Sequence, residues 1–217
     1  MKTRMPWTAA TVIALVLGPA ALRAQVAEGL IDPNVATQDE LLALPHFDEA
    51  SAGALVEARP FASALELDAF LRSRSLSPEQ IAQVYAEAFV HVDLDRASAE
   101  EILLIPGAGR RMAHEFEEYR PWMSWAQFDR EIGKYVDEEE VARLKRYTFI
   151  PLDLNTASEA EFLTIPGVGK RMAHELQEYR PWKSEAQFQG EIGKYVDEDE
   201  VARLWRYLVI GAPARVP

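Results

Sequence analysis

The second half of this chain repeats itself at an offset of 60 residues, and that repeat restricts the fold more than any other sequence feature. Residues 93–150 align with residues 153–210 without a gap, and about two thirds of the aligned positions are identical. Tandem copies of this length fold as small units that pack on their neighbours, so we expect a fold built from a repeating unit.

A weaker copy precedes these two. Asn34 and Pro45 stand where Asn155 and Pro166 stand in the last copy, and similar matches continue along the segment. The sequence therefore predicts three tandem units, called the first, second and third repeats below. Their predicted bounds are 31–90, 92–150 and 152–210.

Helix start signals recur within each repeat. A serine or aspartate three residues before a glutamate or glutamine is typical of a helix N-terminus, because its side chain accepts a hydrogen bond from the third helical amide. The pairs with this spacing are Ser98/Glu101, Ser124/Gln127, Asp137/Glu140, Ser158/Glu161, Ser184/Gln187 and Asp197/Glu200. Together with apolar residues at helical spacing, they predict about four short helices per repeat and an all-α fold.

Two stretches combine glycines with basic residues. Residues 105–111 and 165–171 each read apolar-Pro-Gly-x-Gly followed by two cations. Glycine adopts backbone angles that a residue with Cβ resists, and amides at the start of the next helix attract anions. We therefore expect tight turns, and the candidate phosphate-binding residues are Gly107, Gly109, Arg110, Arg111, Gly167, Gly169, Lys170 and Arg171. The alternative, that the glycines only form the turn and the cations only aid solubility, remains open.

The third repeat resembles a known family. Residues 154–158 (Leu-Asn-Thr-Ala-Ser), 163–169 (Leu-Thr-Ile-Pro-Gly-Val-Gly), Ala173 and Tyr179-Arg180 are similar to the helix-hairpin-helix domain of ComEA-type competence DNA receptors. That resemblance implies a small exported all-α domain with two consecutive hairpins that binds DNA without sequence preference. A similar domain also occurs in an extrinsic lumenal subunit of photosystem II, where it is a structural part.

The chain departs from the family pattern at the other hairpins. The second hairpins, residues 132–137 and 192–197, have one glycine each and lead into acidic runs. We expect those carboxylates to satisfy the helix amides internally and to repel phosphate. In the first repeat, residues 45–48 read Pro-His-Phe-Asp, without glycine. Only two hairpins keep the form that the family uses for phosphate.

Charge and the first residues bear on location. Lys2 and Arg4 precede an uncharged run, residues 5–22, and Ala24-Gln25 is typical of a signal-peptide cleavage site. Residues 1–24 are therefore predicted to be a signal peptide or a retained membrane anchor, and the rest to be exported and periplasmic. The net charge is −12, and it becomes −15 without residues 1–24, which hold three basic and no acidic residues. Such a charge gives no general attraction for nucleic acid.

Two tryptophans have no tryptophan at the aligned position of the other repeat. Trp125 aligns with Glu185, and Lys145 aligns with Trp205. Because neither tryptophan recurs, we expect both to lie outside the repeat core and to be candidates for a protein-binding surface. The histidines are scattered singly, at positions 46, 91, 114 and 174, and are interpreted as surface residues.

These observations lead to two functional hypotheses. The first is a non-catalytic exported scaffold, a structural subunit that docks onto protein partners of a membrane-associated complex at the outer face of the membrane. The second is sequence-independent binding of double-stranded DNA, of the kind used in DNA uptake, through the two Gly-x-Gly hairpins. Neither hypothesis requires a metal or cofactor, and no nucleophile–base or metal-ligand pattern predicts an enzyme.

Overall fold

The computed structural model describes residues 29–211, and this part of the chain is mostly helical. It contains twelve α-helices and four strands of two residues each. The helices are α1 (Gln38–Leu42), α2 (Glu49–Ala58), α3 (Ala64–Ser73), α4 (Pro78–Tyr85), α5 (Ala99–Ile102), α6 (Arg110–Glu118), α7 (Trp125–Ile132), α8 (Glu138–Lys145), α9 (Glu159–Phe162), α10 (Lys170–Glu178), α11 (Glu185–Ile192) and α12 (Glu198–Trp205). Among residues 29–211, no helix is both long and apolar enough to cross a membrane. The predicted signal or anchor segment, residues 1–24, lies outside the described residues.

Short parallel strands join the start of each repeat to its end. The strands are β1 (Val92–Asp93), β2 (Thr148–Phe149), β3 (Leu152–Asp153) and β4 (Leu208–Val209). Val92 lies opposite Thr148 in the second repeat, and Leu152 lies opposite Leu208 in the third. In the first repeat, a single bridge between Ile31 and Ala88 does the same. The sequence did not indicate these strands, which are too short to carry an alternating pattern.

Side-chain caps begin the helices at the predicted positions. The six capping residues Ser98, Ser124, Asp137, Ser158, Ser184 and Asp197 each accept a hydrogen bond from the third helical amide. Ser158 and Glu161 form a reciprocal capping box. Glu101 differs, because its carboxylate instead accepts from the backbone N–H of Ala64 at 3.0 Å. That bond uses a helix-capping residue of the second repeat to hold the start of α3 in the first.

A buried tryptophan organises the core of both later repeats. Trp122 and Trp182 are each 2% exposed, and each indole N–H donates to a backbone carbonyl six residues earlier, on Phe116 or Leu176. The Trp122 ring also packs against the rings of Phe116 and Phe128. A buried indole needs such a hydrogen-bond partner, and the donation ties the residue after each Arg-Pro pair to the preceding helix.

The two unmatched tryptophans also pack inside their repeats. Trp125, on α7, is 7% exposed and contacts the ring of Phe128 edge-on at 5.5 Å between centroids. The expectation that Trp125 lies outside the core is therefore wrong. Trp205, on α12, is half-buried and packs on Phe188, the counterpart of Phe128, at 5.0 Å. The two rings thus cover equivalent phenylalanines from different helices.

Aromatic pairs connect successive repeats. Phe89, at the end of the first repeat, packs on Tyr147 of the second at 5.2 Å between centroids. Phe149, at the end of the second repeat, packs on Tyr207 of the third at 4.5 Å. The same contact is therefore used at both junctions. The first two repeats share one buried cluster, and a second cluster holds the third repeat together with Phe149.

The third repeat also contacts the first. The Tyr207 hydroxyl donates to Oδ2 of Asp32 at 3.0 Å, and both residues are buried. Val35 of the first repeat lies beside Gly167 of the third, close enough that a Cβ on Gly167 would come within 2.8 Å of Val35 Cγ1. The repeats therefore form a closed arrangement, in which the first and last members touch as well as the successive ones.

His91 lies at this junction and not on the surface. It is 1% exposed, its Nδ1 is 3.8 Å from Asp32 Oδ2, and neither ring nitrogen has a hydrogen-bond partner among residues 29–211. Its backbone carbonyl accepts from Arg206 at 2.9 Å. The interpretation of His91 as a surface residue is wrong, whereas His46, His114 and His174 are exposed as expected.

Candidate functional site

The leading hairpins of the second and third repeats keep an open helix start. Gly107 and Gly167 have φ of +79°, the left-handed region that glycine allows, so the predicted turn is present at both. The second glycines, Gly109 and Gly169, have ordinary extended angles and are the N-caps of α6 and α10. They are thus not required by backbone angle, which corrects the expectation for those two positions. Neither supplies a side-chain cap, so the first amides of both helices have no capping side chain as a hydrogen-bond partner.

The first repeat closes the equivalent helix start. His46 takes the left-handed turn position with φ of +67°, although it carries a Cβ. Asp48 stands at the N-cap of α2, accepts from the Ser51 amide at 2.8 Å, and forms a reciprocal capping box with it. A carboxylate therefore occupies the place where a bound anion would sit in the later repeats.

The four basic residues next to the open helix starts are exposed. Arg110, Arg111, Lys170 and Arg171 all begin α6 or α10. The Arg111 guanidinium lies over the Tyr135 ring at 4.8 Å, and that of Arg171 lies over Tyr195 at 5.6 Å. These rings come from the second hairpin of the same repeat, so a cation–π contact orients one cation of each pair.

Acidic groups offset part of this positive charge. The hydroxyl groups of Tyr119 and Tyr135 are hydrogen-bonded to each other at 3.0 Å. This bond raises the pKa of Tyr135, and the nearby Glu115 raises it further. Tyr195 shows the same effects from Tyr179 and Glu175. A carboxylate therefore lies close to the ring on which each hairpin arginine rests, which lowers the local potential for phosphate.

A further arginine lies behind each glycine turn. A Cβ on Gly107 would come within 3.0 Å of the Arg143 guanidinium, and Arg203 stands in the same relation to Gly167, at 3.2 Å. Each arginine makes a bidentate ion pair at 2.6 and 2.7 Å with the glutamate three residues earlier, Glu140 or Glu200. Sequence reasoning missed both arginines, although their recurrence at matched positions was visible.

The second hairpins do not present open helix starts. Asp137 and Asp197 cap α8 and α12 with their carboxylates, each accepting from the third helical amide at 2.9 Å. The prediction that these carboxylates satisfy the helix amides internally is confirmed. The second hairpins therefore lack the uncapped helix starts that the leading hairpins of these two repeats have.

The second hairpins instead form two matched grooves. One groove, of about 790 Å³, lies between α7 and α8, and the other, of about 820 Å³, lies between α11 and α12. Ten lining positions correspond at the offset of 60 residues, among them Val141 with Val201 and Ala142 with Ala202. Each groove is lined by valine and alanine side chains and by charged side chains.

The grooves differ where the tryptophans change places. In the second repeat, Lys145 on α8 makes an ion pair with Asp129 on α7 and lies over Trp125, which ties the two helices across the groove. In the third repeat, Gln189 and Trp205 occupy those positions, so the groove has an indole wall and no ion pair at this point. The groove of the third repeat is therefore the more apolar of the two.

Among residues 29–211, no cluster of three or more His, Asp or Glu side chains is placed to hold a metal ion. No family model, curated protein or solved structure matches the chain. The candidate site consists of two exposed, uncapped helix starts with basic residues beside them, and of two grooves on the neighbouring hairpins.

Proposed function

We propose that the protein is a non-catalytic, exported scaffold that docks onto protein partners of a membrane-associated complex in the periplasm. The observation that carries this proposal is the pair of matched grooves on the second and third repeats. Paired grooves with apolar floors suit repeated engagement of partner segments, and two linked sites strengthen binding beyond either one alone. The net charge of −12 supports protein rather than nucleic acid as the partner.

The proposal includes the finer fold assignment, three tandem helix-hairpin-helix units. It is supported by the short helix pairs α5–α6 and α9–α10, each joined by a turn with its first glycine in the left-handed region. The first repeat supports it in degenerate form, because His46 adopts the same turn between α1 and α2. An N-terminal signal or anchor, residues 1–24, supplies the proposed export.

In vivo cross-linking in the native host tests the scaffold function. Photo-reactive residues placed at exposed Ala142 and Ala202 should give discrete cross-links to one or a few envelope proteins. The same residue at exposed Glu57, away from both grooves, should not give those products. A protein recovered only from the cytoplasm, or cross-links that are identical from all three positions, would refute the proposal.

Sequence-independent binding of double-stranded DNA is the second candidate. The observation that favours it is the pair of uncapped helix starts at Gly109 and Gly169, each followed by exposed cations. Backbone amides and basic side chains at a helix N-terminus bind phosphate groups of any sequence. Two such sites neutralise few phosphates, so the affinity should be modest and sensitive to salt.

Binding of residues 25–217 to a labelled random duplex, at about 50 and about 200 mM salt, decides between the candidates. One variant carries Gly109→Asp and Gly169→Asp, which copies the Asp48 cap of the first repeat and closes the amides. A second variant changes the four hairpin cations to Glu: Arg110, Arg111, Lys170 and Arg171. Its charge-matched control changes four exposed cations elsewhere to Glu: Arg72, Arg74, Arg130 and Lys183. Salt-sensitive binding that only the hairpin variants abolish would establish the DNA function. No binding at the lower salt would exclude it.

A further inference from the structure

The groove of the third repeat is charged asymmetrically. Its rim carries three carboxylates, from Glu185, Asp197 and Glu198, and one ammonium group, from Lys194. That ammonium group makes an ion pair with Glu191, outside the groove, and lies over the Tyr179 ring at 5.3 Å. With three carboxylates and one ammonium group in its lining, the groove is acidic overall.

The same groove also has apolar lining residues. Val201 is buried, Val196 is half-buried, and the half-buried Trp205 ring forms one wall. Gly190 replaces the arginine that stands at the matched position of the second repeat, and a Cβ there would meet nothing within 4 Å. This side of the groove therefore lacks the cation of the second repeat and has room for a side chain.

We propose that this groove binds an amphipathic basic helix of a partner protein, with an apolar side chain against Trp205 and Val201 and with lysine or arginine beside the carboxylate rim. Helices in grooves are held by such apolar anchors, tryptophan is enriched where those anchors bind, and complementary charge sets the orientation. The inference rests on the proposed scaffold function and names the kind of partner that one of its two grooves accepts.

The second repeat explains why one groove is singled out. Its groove carries Arg130, Lys134 and Lys145 along with its acidic residues, so its rim is close to balanced. The ion pair between Lys145 and Asp129 also spans it. A basic helix would gain less there, because the acidic rim is already neutralised and the indole wall is replaced by a lysine.

The probe is a synthetic peptide of about 15 residues, composed of leucine and lysine in an amphipathic helical pattern. Two peptides of the same length serve as references: lysine with serine, which keeps the charge but has no apolar face, and leucine with glutamate, which reverses the charge. Binding to residues 25–217 is measured by calorimetry, and the indole N–H resonance of Trp205, assigned with Trp205→Phe, reports the location.

Gly190→Arg is the test variant, since it adds to the rim the cation that the second repeat carries at this position, where a side chain has room. We expect the leucine–lysine peptide to shift the Trp205 resonance and to bind Gly190→Arg at least tenfold more weakly than wild type. A second variant, Glu185→Trp with Trp205→Lys, copies the core arrangement of the second repeat and should weaken binding similarly. Both reference peptides should bind at least tenfold more weakly to the wild type.

Equal binding to wild type and Gly190→Arg would overturn the inference, as would equal binding of the lysine–serine peptide. These outcomes are independent of the cross-linking result. Envelope cross-links without peptide binding would retain the scaffold function and reject the basic-helix partner. Peptide binding at Trp205 without envelope cross-links would support the groove's specificity and reject the scaffold function.

Discussion

The backbone N–H of Trp122 donates to Oδ1 of Asp95 at 2.7 Å. In the third repeat, Asn155 makes the same contact with the amide of Trp182 and also donates its side-chain N–H to the Trp182 carbonyl at 2.9 Å. Asn34 forms the corresponding two bonds in the first repeat. A carboxylate has no N–H to return, so the second repeat keeps only one half of this clasp.

Asp95→Asn should therefore stabilise the protein by about 1 kcal/mol at neutral pH, through one additional hydrogen bond. Burial raises the pKa of Asp95, although the Trp122 amide opposes this. Because the folded state favours the neutral acid, wild-type stability contributed by this group is lost as the pH rises through the folded-state pKa. The gain from Asp95→Asn should shrink below that pKa. Urea unfolding at neutral pH and at a pH below that pKa measures the gain, and Asn155→Asp is the reverse substitution. An Asp95→Asn variant that is less stable than wild type at neutral pH would contradict the prediction.

His46→Gly should raise the free energy of unfolding by about 0.5–1 kcal/mol, because glycine adopts φ of +67° without the cost that a Cβ imposes. The gain is reduced by loss of the hydrogen bond between His46 Nε2 and Gln83, which is exposed. His46→Ala is the control, since it removes that bond and keeps the strained angle. Thermal unfolding should rank glycine above histidine and histidine above or equal to alanine, and any order with alanine first would be inconsistent with this account.

Gly167→Ala should destabilise the fold more than Gly107→Ala does. Both alanines carry the cost of a left-handed φ, about 1–2 kcal/mol. At Gly167 the new methyl would also lie 2.8 Å from Val35 Cγ1, whereas at Gly107 it meets only the flexible end of Arg143. Adding Val35→Ala should remove the excess cost of Gly167→Ala and leave Gly107→Ala unchanged. A double-mutant cycle on unfolding free energies tests this coupling, and additive effects at Val35 and Gly167 would mean that the first and third repeats do not touch there.

Tyr207→Phe should cost about 1.5–3 kcal/mol, because it removes a donor from the buried Asp32 carboxylate. Burial alone would raise the pKa of Asp32, but the nearby His91 and the Asn34 amide outweigh burial and lower it. The stability that ionised Asp32 contributes is therefore lost as the pH falls through its folded-state pKa. Tyr147→Phe, at the matched position of the second repeat, is the control and should cost less. Chemical unfolding of both variants gives the comparison, and equal costs would argue against a stabilising role for the Tyr207–Asp32 bond.

Helix positions could be predicted because their signals are local. The capping pairs of Ser98, Asp137 and Ser158 act within four residues, so their spacing alone fixes where a helix begins. The same holds for the turn at Gly107 and Gly167, where glycine allows the left-handed φ without strain. For that reason, the uncapped helix starts of the candidate phosphate site could also be predicted from the sequence.

The junction of the first and third repeats could not be predicted. His91 and Tyr207 are brought to Asp32 by the arrangement of whole repeats, and no spacing in the sequence encodes that arrangement. The grooves were missed for a related reason, since Gly190 and Val201 line a common space only after α11 and α12 have packed.

The tryptophans are an intermediate case, because a signal existed and was interpreted incorrectly. Positions 125 and 145 of the second repeat hold Trp and Lys, and the aligned positions 185 and 205 of the third hold Glu and Trp. Each repeat thus retains one tryptophan in the same two-position set. Such an exchange indicates a conserved volume against Phe128 or Phe188 rather than two residues free of the core.

The bond between Tyr207 and Asp32 makes the number of repeats matter to the stability of the fold. An open solenoid can lengthen by duplication, since each new member meets only its neighbours. Here, a fourth copy inserted after residue 150 would move Tyr207 away from Asp32, and would leave a buried carboxylate without its donor. Substitutions on the existing repeats, such as those that make the two grooves unequal, leave this bond in place.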